Sequence, residues 1–162
     1  MKQFVFLLVV AVGLAACTAG RNVAAGSQSR LAQAERVATA INNRHFTIDV
    51  NYMKPLRGPQ RYVNGSYSLT VKGDTVQSYL PYFGDVYRAN YGTQKALNFE
   101  GAVYNYVVTQ PKKGLARITF ETETDEDRYL YHLDVYYQNG TSYIDVQAQN
   151  RDAISFSGNF AQ

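Results

Sequence analysis

The chain has 162 residues, enough for one domain with a proper core. Its formal charge of +3 comes from scattered basic residues, which argues against nucleic acid or an acidic partner. A single cysteine excludes an internal disulfide, so packing alone must hold the folded part.

The chain opens Met1-Lys2-Gln3, continues through an apolar block from Phe4 to Leu14, and then reads Ala15-Ala16-Cys17. A basic start, a short apolar core and small residues before a cut describe a secretory signal peptide. The block is too short to span a bilayer, which takes about twenty residues. Leu14-Ala15-Ala16-Cys17 reads as a bacterial lipobox, in which the Cys17 sulfur takes a diacylglycerol and cleavage makes Cys17 the new N-terminus. Stable anchoring takes more than one acyl chain, and a triacylated, palmitate-bearing Cys17 meets that condition. Residues 1–16 are therefore expected to be a lipoprotein signal peptide, 17–27 an acylated cysteine and flexible tether, and 28–162 a single domain. The tether is small, polar and unperiodic. As in lipoproteins sent onward from the inner membrane, position 18 is not Asp but Thr18, and no acidic cluster follows. The expected address is the cell envelope, on the periplasmic face of the outer membrane.

Residues 28–43 predict a helix. Leu31, Ala34, Val37, Ala38 and Ile41 fall at three- and four-residue steps, with Ser27 or Ser29 as caps and Asn42-Asn43 as the stop. The stripe is narrow and alanine-rich, so this helix should lie on a sheet. From Phe46 the period becomes two. Phe46, Ile48, Val50 and Tyr52 form one set, followed by Tyr67, Leu69 and Val71. Ala116, Ile118 and Phe120, then Leu133, Val135 and Tyr137, repeat the pattern, as do Ile144, Val146 and Ala148, then Ile154, Phe156 and Phe160. Lys72-Gly73-Asp74, Pro111 to Gly114, Asp125-Glu126-Asp127 and Asn139-Gly140 are turn chemistry. Short turns force antiparallel neighbours, and a long sheet curls. The expected fold is mainly β with one N-terminal helix (α+β): a meander of about seven to nine strands, curled into an incomplete barrel or sandwich. Tyr104, Tyr106, Tyr129, Tyr131, Tyr136 and Tyr143 are assigned to its second, partly wet face.

One stretch breaks the hairpin rhythm. Leu80-Pro81-Tyr82-Phe83-Gly84 ends a strand, because Pro cannot donate to a ladder, and residues 85–95 show neither period. So long a connection is functional or internally packed. Tyr79, Tyr82, Phe83, Tyr87 and Tyr91 make it the candidate binding surface, a plate for a sugar, peptide or lipid tail. The other reading of the same residues is a satellite core that plugs the end of the barrel.

Leu80 to Gly84 with Tyr87, then Leu97-Asn98-Phe99, resembles the signature of a lipoprotein family known as domain of unknown function 4251. Asn139-Gly140, Val146, Asn150-Arg151, Ile154-Ser155 and Gly158 strengthen the likeness, which covers roughly Ala34 to Phe160. The resemblance implies a small envelope lipoprotein and supplies no catalytic residues.

Catalytic patterns are weak. Glu121 and Glu123 share a strand face about 7 Å apart, near the spacing of an inverting glycosidase, but they run into Asp125, Glu126 and Asp127 as a solvated hairpin end. His45 and His132 lie far apart without a third ligand, so no metal is expected. No G-x-S-x-G elbow or Gly-rich phosphate loop occurs, and no cofactor is implied. Asp74-Thr75-Val76 matches a bacterial O-glycosylation tripeptide but equally a turn-to-strand junction. The expected function is a lipid-anchored, non-enzymatic binding or assembly module that presents an aromatic surface. Its partners would be the membrane, through Cys17, and an envelope protein, glycan or apolar ligand. The alternatives are a carrier with a hollow curled sheet, and a glycan hydrolase using Glu121 and Glu123.

Overall fold

The computed structural model describes residues 19–87 and 96–161; Cys17, Tyr91 and the signal segment lie outside them. The chain divides into two units between residues 32 and 33. Among the described residues there is one helix, α1 (Ala19–Asn42). It starts at Ala19, so helix replaces the expected tether over 19–27, where three alanines supply strong helix formers. From residue 26 onward, the buried residues of α1 are Val37 and Ile41 in its last two turns, whereas Leu31, expected on the inward stripe, is 65% exposed. The helix stops where Asn42-Asn43 predicts, and Arg44 adopts a left-handed φ of 51° that turns the chain into the sheet. No helix among the described residues is long and apolar enough to cross a membrane.

Among the described residues ten strands follow: β1 (His45–Pro55), β2 (Arg61–Tyr62), β3 (Ser68–Lys72), β4 (Thr75–Leu80), β5 (Leu97–Ala102), β6 (Tyr104–Lys112), β7 (Leu115–Glu123), β8 (Arg128–Tyr136), β9 (Thr141–Ala148) and β10 (Ile154–Phe160). Nine form one antiparallel path, β5-β4-β3-β1-β10-β9-β8-β7-β6, with β2 paired to β1. The two ends of that path, β5 and β6, are joined in sequence by Val103 alone, so the sheet must curl enough to bring the end of β5 to the start of β6. This is the expected helix-plus-meander, curled as a half-barrel. Pro111, expected in a turn, lies inside β6, an edge strand where a missing donor breaks no ladder.

Residues two apart share a face, and that parity builds the core. Ile118 and Phe120 of β7, Tyr131 and Leu133 of β8, and Ile144 of β9 are fully buried with Ile48 and Leu69. Aromatic pairs fill the enclosed space: Phe120 stacks on Tyr131 at 4.9 Å, Phe99 on Tyr129 at 4.8 Å and Phe46 on Phe160 at 5.6 Å. Tyr129 and Tyr131 were expected on the wetter face. They are 2% and 0% exposed because they share the parity of Leu133 and Val135. The Tyr131 hydroxyl donates to Ser78 Oγ at 3.2 Å, and Ser78 donates to the Leu97 carbonyl at 2.7 Å, so a phenol is buried without an orphaned donor. Tyr106 is half-buried and donates to the Ile41 carbonyl at 3.1 Å; burial pushes its phenol up to about 12.

Tyr52 is a second correction. A register shift between Val50 and Tyr52 reverses the alternation, so Tyr52 turns outward at 43% exposure and Met53 packs against the core. At this irregularity β10 carries Gly158, where an added Cβ would lie 1.8 Å from the Asp49 carbonyl oxygen. Gly158→Ala must therefore part β1 from β10. The expected cost reaches or exceeds the upper end of the overpacking range, about 3 kcal/mol, read as a lowered Tm.

Candidate functional site

The segment after β4 folds back onto the β9–β10 connection. Tyr87 N–H donates to the Asn150 carbonyl at 2.7 Å, and Asp152 N–H donates to the Asp85 carbonyl at 3.0 Å. Gly84 lets the chain pass: a Cβ there would meet the Tyr82 hydroxyl at 2.7 Å. The Tyr82 hydroxyl lies 2.9 Å from the Asp85 carbonyl and 3.1 Å from that of Asp152. The Tyr87 hydroxyl donates to Asp152 Oδ1, while Asp152 Oδ2 accepts from the Asp85 N–H at 3.3 Å. One carboxylate thus ties both ends of the segment.

Electrostatics follow from these bonds. Burial, reinforced by the Asp152 charge, pushes the Tyr82 phenol up to about 12. The Tyr87 hydrogen bond holds Asp152 below the usual carboxylate range and raises the Tyr87 phenol. A carboxylate with a depressed pKa contributes stability that is present above its unfolded pKa and lost as pH falls through the folded value. Tyr87→Phe is expected to move the Asp152 pKa up toward the ordinary range and to weaken the acid dependence of this latch. Carbon-13 titration of Asp152 reads it.

Beneath the latch lies a buried ion cluster. Arg151 is 3% exposed, and its Nε meets Asp127 Oδ2 at 3.3 Å; its Nη2 reaches Glu126 Oε2 at 3.6 Å. Asp127 accepts from the backbone N–H groups of Arg128, Gln149 and Asn150 at 2.9, 3.0 and 3.1 Å. The Arg151 guanidinium lies 5.3 Å from the Tyr82 ring centre and 5.6 Å from that of Tyr129. Its Nη1 is buried with no acceptor among the described residues, which leaves the aromatic faces to offset the desolvation. The acidic turn, expected to be solvated throughout, therefore contributes the buried half of an ion pair through Asp127. Spacing carries no sign of this, because the partner is 24 residues away in Asn150-Arg151-Asp152. A basic residue within a mostly neutral strand connection was the available hint.

Above the latch opens a cleft of about 430 Å³, lined by Arg57, Asp85, Asp152 and the Tyr82–Phe83 pair. Arg57 and Asp85 pair across it at 3.1 Å, both well exposed, so the pair contributes little stability and is free to be exchanged for a ligand contact. Phe83 is 48% exposed, with the Arg61 guanidinium 4.2 Å from its ring centre. Tyr87 and Tyr79 are also exposed, and Tyr79 stacks on Tyr67 at 5.4 Å. The structure thus brings Tyr82, Phe83 and Tyr87 to one connected surface and puts Tyr79 on the strand leading into it. Among the described residues of the set, the satellite-core reading holds for Tyr82, which is half-buried, and not for Tyr79, Phe83 or Tyr87.

The carboxylates considered for glycan hydrolysis stand elsewhere, on β7. Glu123 is exposed and ion-paired with Arg128 at 3.0 Å, and Glu121 accepts from Asn105 Nδ2 at 3.1 Å. Glu123 stands open to water, and Glu121 is only part-buried. His132 lies on β8 with Nδ1 3.2 Å from Thr119 Oγ1, and His45 is exposed on β1.

Fold and site together define a small curled-sheet domain with an aromatic cleft at one end, braced from below by a buried ion cluster. The chain belongs to the DUF4251 family, described as a domain of unknown function, whose sequence profile matches residues 28–160. Among solved structures it is similar to a DUF4251 family protein from Bacteroides eggerthii DSM 20697, with a TM-score of 0.64 and 14% identity. That alignment covers 80% of this chain and 87% of the other, and at this identity it speaks for the fold alone. No curated protein matches the chain.

Proposed function

We propose that the protein is a non-enzymatic binding or assembly module, held by acyl chains on Cys17 at the periplasmic face of the outer membrane. It presents the aromatic cleft to an envelope partner. The observation that carries this reading is the exposure of Phe83 and Tyr87 on a segment pinned by Asp152 and floored by the Arg151–Asp127 pair. Large aromatics held in place from beneath and left open above have already lost the freedom that binding would otherwise cost them. The carrier alternative draws no support from an interior filled by Phe120, Tyr131 and their neighbours, nor the hydrolase from an exposed, ion-paired Glu123.

Tyrosine footprinting tests the reading. In intact envelopes Tyr79 and Tyr87 should label more slowly than in the purified protein, while Tyr104, 54% exposed on β6, labels alike in both. Equal labelling of all three in envelopes would count against the cleft. Cys17→Ser should move the protein from the membrane fraction to the soluble one and abolish incorporation of labelled palmitate.

A further inference from the structure

The outer face of β1, β10, β9, β8 and β7 carries a second surface. The register aligns Tyr52, Ser157, Tyr143, Asp134 and Arg117 side by side across these five strands. Two residues along each strand, Lys54, Ser155, Asp145, His132 and Thr119 form a parallel row. The outer face of a curled sheet is convex and offers no depression of its own. Here β10 contributes only short serines, while Tyr52 and Tyr143 stand on either side of Ser157, 43% and 48% exposed. Cavities of about 620 and 460 Å³ result, and they share Asp134, Asp145 and Ser155, so they form one furrow. Strands lie about 4.8 Å apart, which sets the two tyrosine walls about 10 Å apart, room for one ring between them.

The walls and the polar groups are already fixed in place. Tyr52 is met edge-on by Tyr62 at 5.4 Å, and Tyr143 packs edge-on with Tyr136 at 6.3 Å. Arg117 is locked to Asp134 by bonds of 2.7 and 2.8 Å. Lys54 and Arg117 balance Asp134 and Asp145, so the furrow has no net attraction for an anion or a cation. All five strands are interior to the sheet, with their ladders satisfied on both sides, so an extended peptide cannot add by strand pairing. Aromatic walls, interleaved donors and acceptors and zero net charge fit a ring-containing, hydroxyl-rich, uncharged ligand.

We propose that this furrow binds a neutral oligosaccharide chain. One sugar ring sits over Ser157 between Tyr52 and Tyr143, and the chain leaves that gap along β10 over Ser155. The hydroxyls of neighbouring units meet Lys54, Asp145 and Asp134. None of these residues lines the cleft at Tyr82, so either surface can fail alone.

The test titrates the isotope-labelled mature protein with neutral hexasaccharides of glucose, mannose, galactose, xylose and N-acetylglucosamine, with oligogalacturonate as the anionic comparison and an uncharged peptide as control. At least one neutral saccharide should shift the Tyr143, Ser155 and Ser157 amide signals saturably. Tyr143→Ala and Tyr52→Ala, both on the surface, should each weaken binding about tenfold or more. Ser157→Tyr, which fills the floor, should abolish it with the Tm retained; if that variant fails to fold, the two alanine variants decide. No shift with any neutral saccharide at millimolar concentration overturns the proposal. So does tighter binding of the oligogalacturonate or the peptide, or undiminished binding by the alanine variants.

Discussion

Asp127→Ala is expected to be among the most damaging single substitutions in the chain. The Asp127 side chain is fully buried and accepts three backbone N–H bonds as well as the Arg151 Nε–H. Its removal strands those donors and leaves the Arg151 guanidinium, 2% exposed at the side chain, without its nearest counter-charge. Breaking one half of a buried pair costs about 3–5 kcal/mol, because the surviving charge is desolvated and uncompensated. Domain stabilities run to only about 5–15 kcal/mol, so the Tm should fall by on the order of 10 °C or more. Arg151→Met in the same chain should recover part of the loss, since the charge left behind is then gone. A double-mutant cycle on thermal unfolding measures that coupling. Independent, additive losses would mean that the two residues do not act as a pair.

Phe120→Ala should cost about as much by another route. Phe120 is completely buried, stacked on Tyr131 at 4.9 Å and 6° and lying 6.3 Å from the Tyr106 ring. Truncation loses the transfer free energy of the ring and leaves a cavity that the sheet cannot close, about 3–5 kcal/mol for Phe→Ala in a core. Because the damage is in the packed interior, the Tyr87–Asp152 hydrogen bond should survive. The folded variant should therefore keep the depressed Asp152 pKa. Asp127→Ala, by contrast, should disturb Asp85, Tyr87 and Asp152, since it removes the floor beneath them.

The fold was legible where burial is one-sided. Ile118 and Phe120, or Ile144 and Val146, alternate with polar neighbours because one face of each strand is buried and the other wet. Most of the strands follow from that pattern, but the two-residue β2 and the Pro111 end of β6 do not. Tyr129 and Tyr131 were misplaced because tyrosine suits either face; their neighbours Leu133 and Val135, two and four residues on, carried the parity that settles them. Period two puts Tyr52 with Phe46, Ile48 and Val50, whereas it faces outward, because a one-residue irregularity reverses the side chains after it and leaves no mark in composition. The aromatic segment was recognisable from Pro81, Gly84 and the lost period. Its support was not, because Asp127, Arg151 and Asp152 meet only through tertiary pairing of two turns. The acidic turn looked solvated because local sequence reports charge and says nothing of a partner 24 residues away.

That the cleft at Tyr82 and Phe83, with Tyr87 beside it, is the binding surface is tested most directly by a photo-crosslinking side chain placed at position 83 in the living envelope, with position 104 as the exposed control. Both natural side chains are about half exposed, so accessibility does not favour either position. The cleft reading predicts a discrete adduct from position 83 that position 104 does not give. Arg57→Glu, which reverses the charge at the cleft mouth, should diminish it. The same adducts from both positions, or none from position 83, would contradict it.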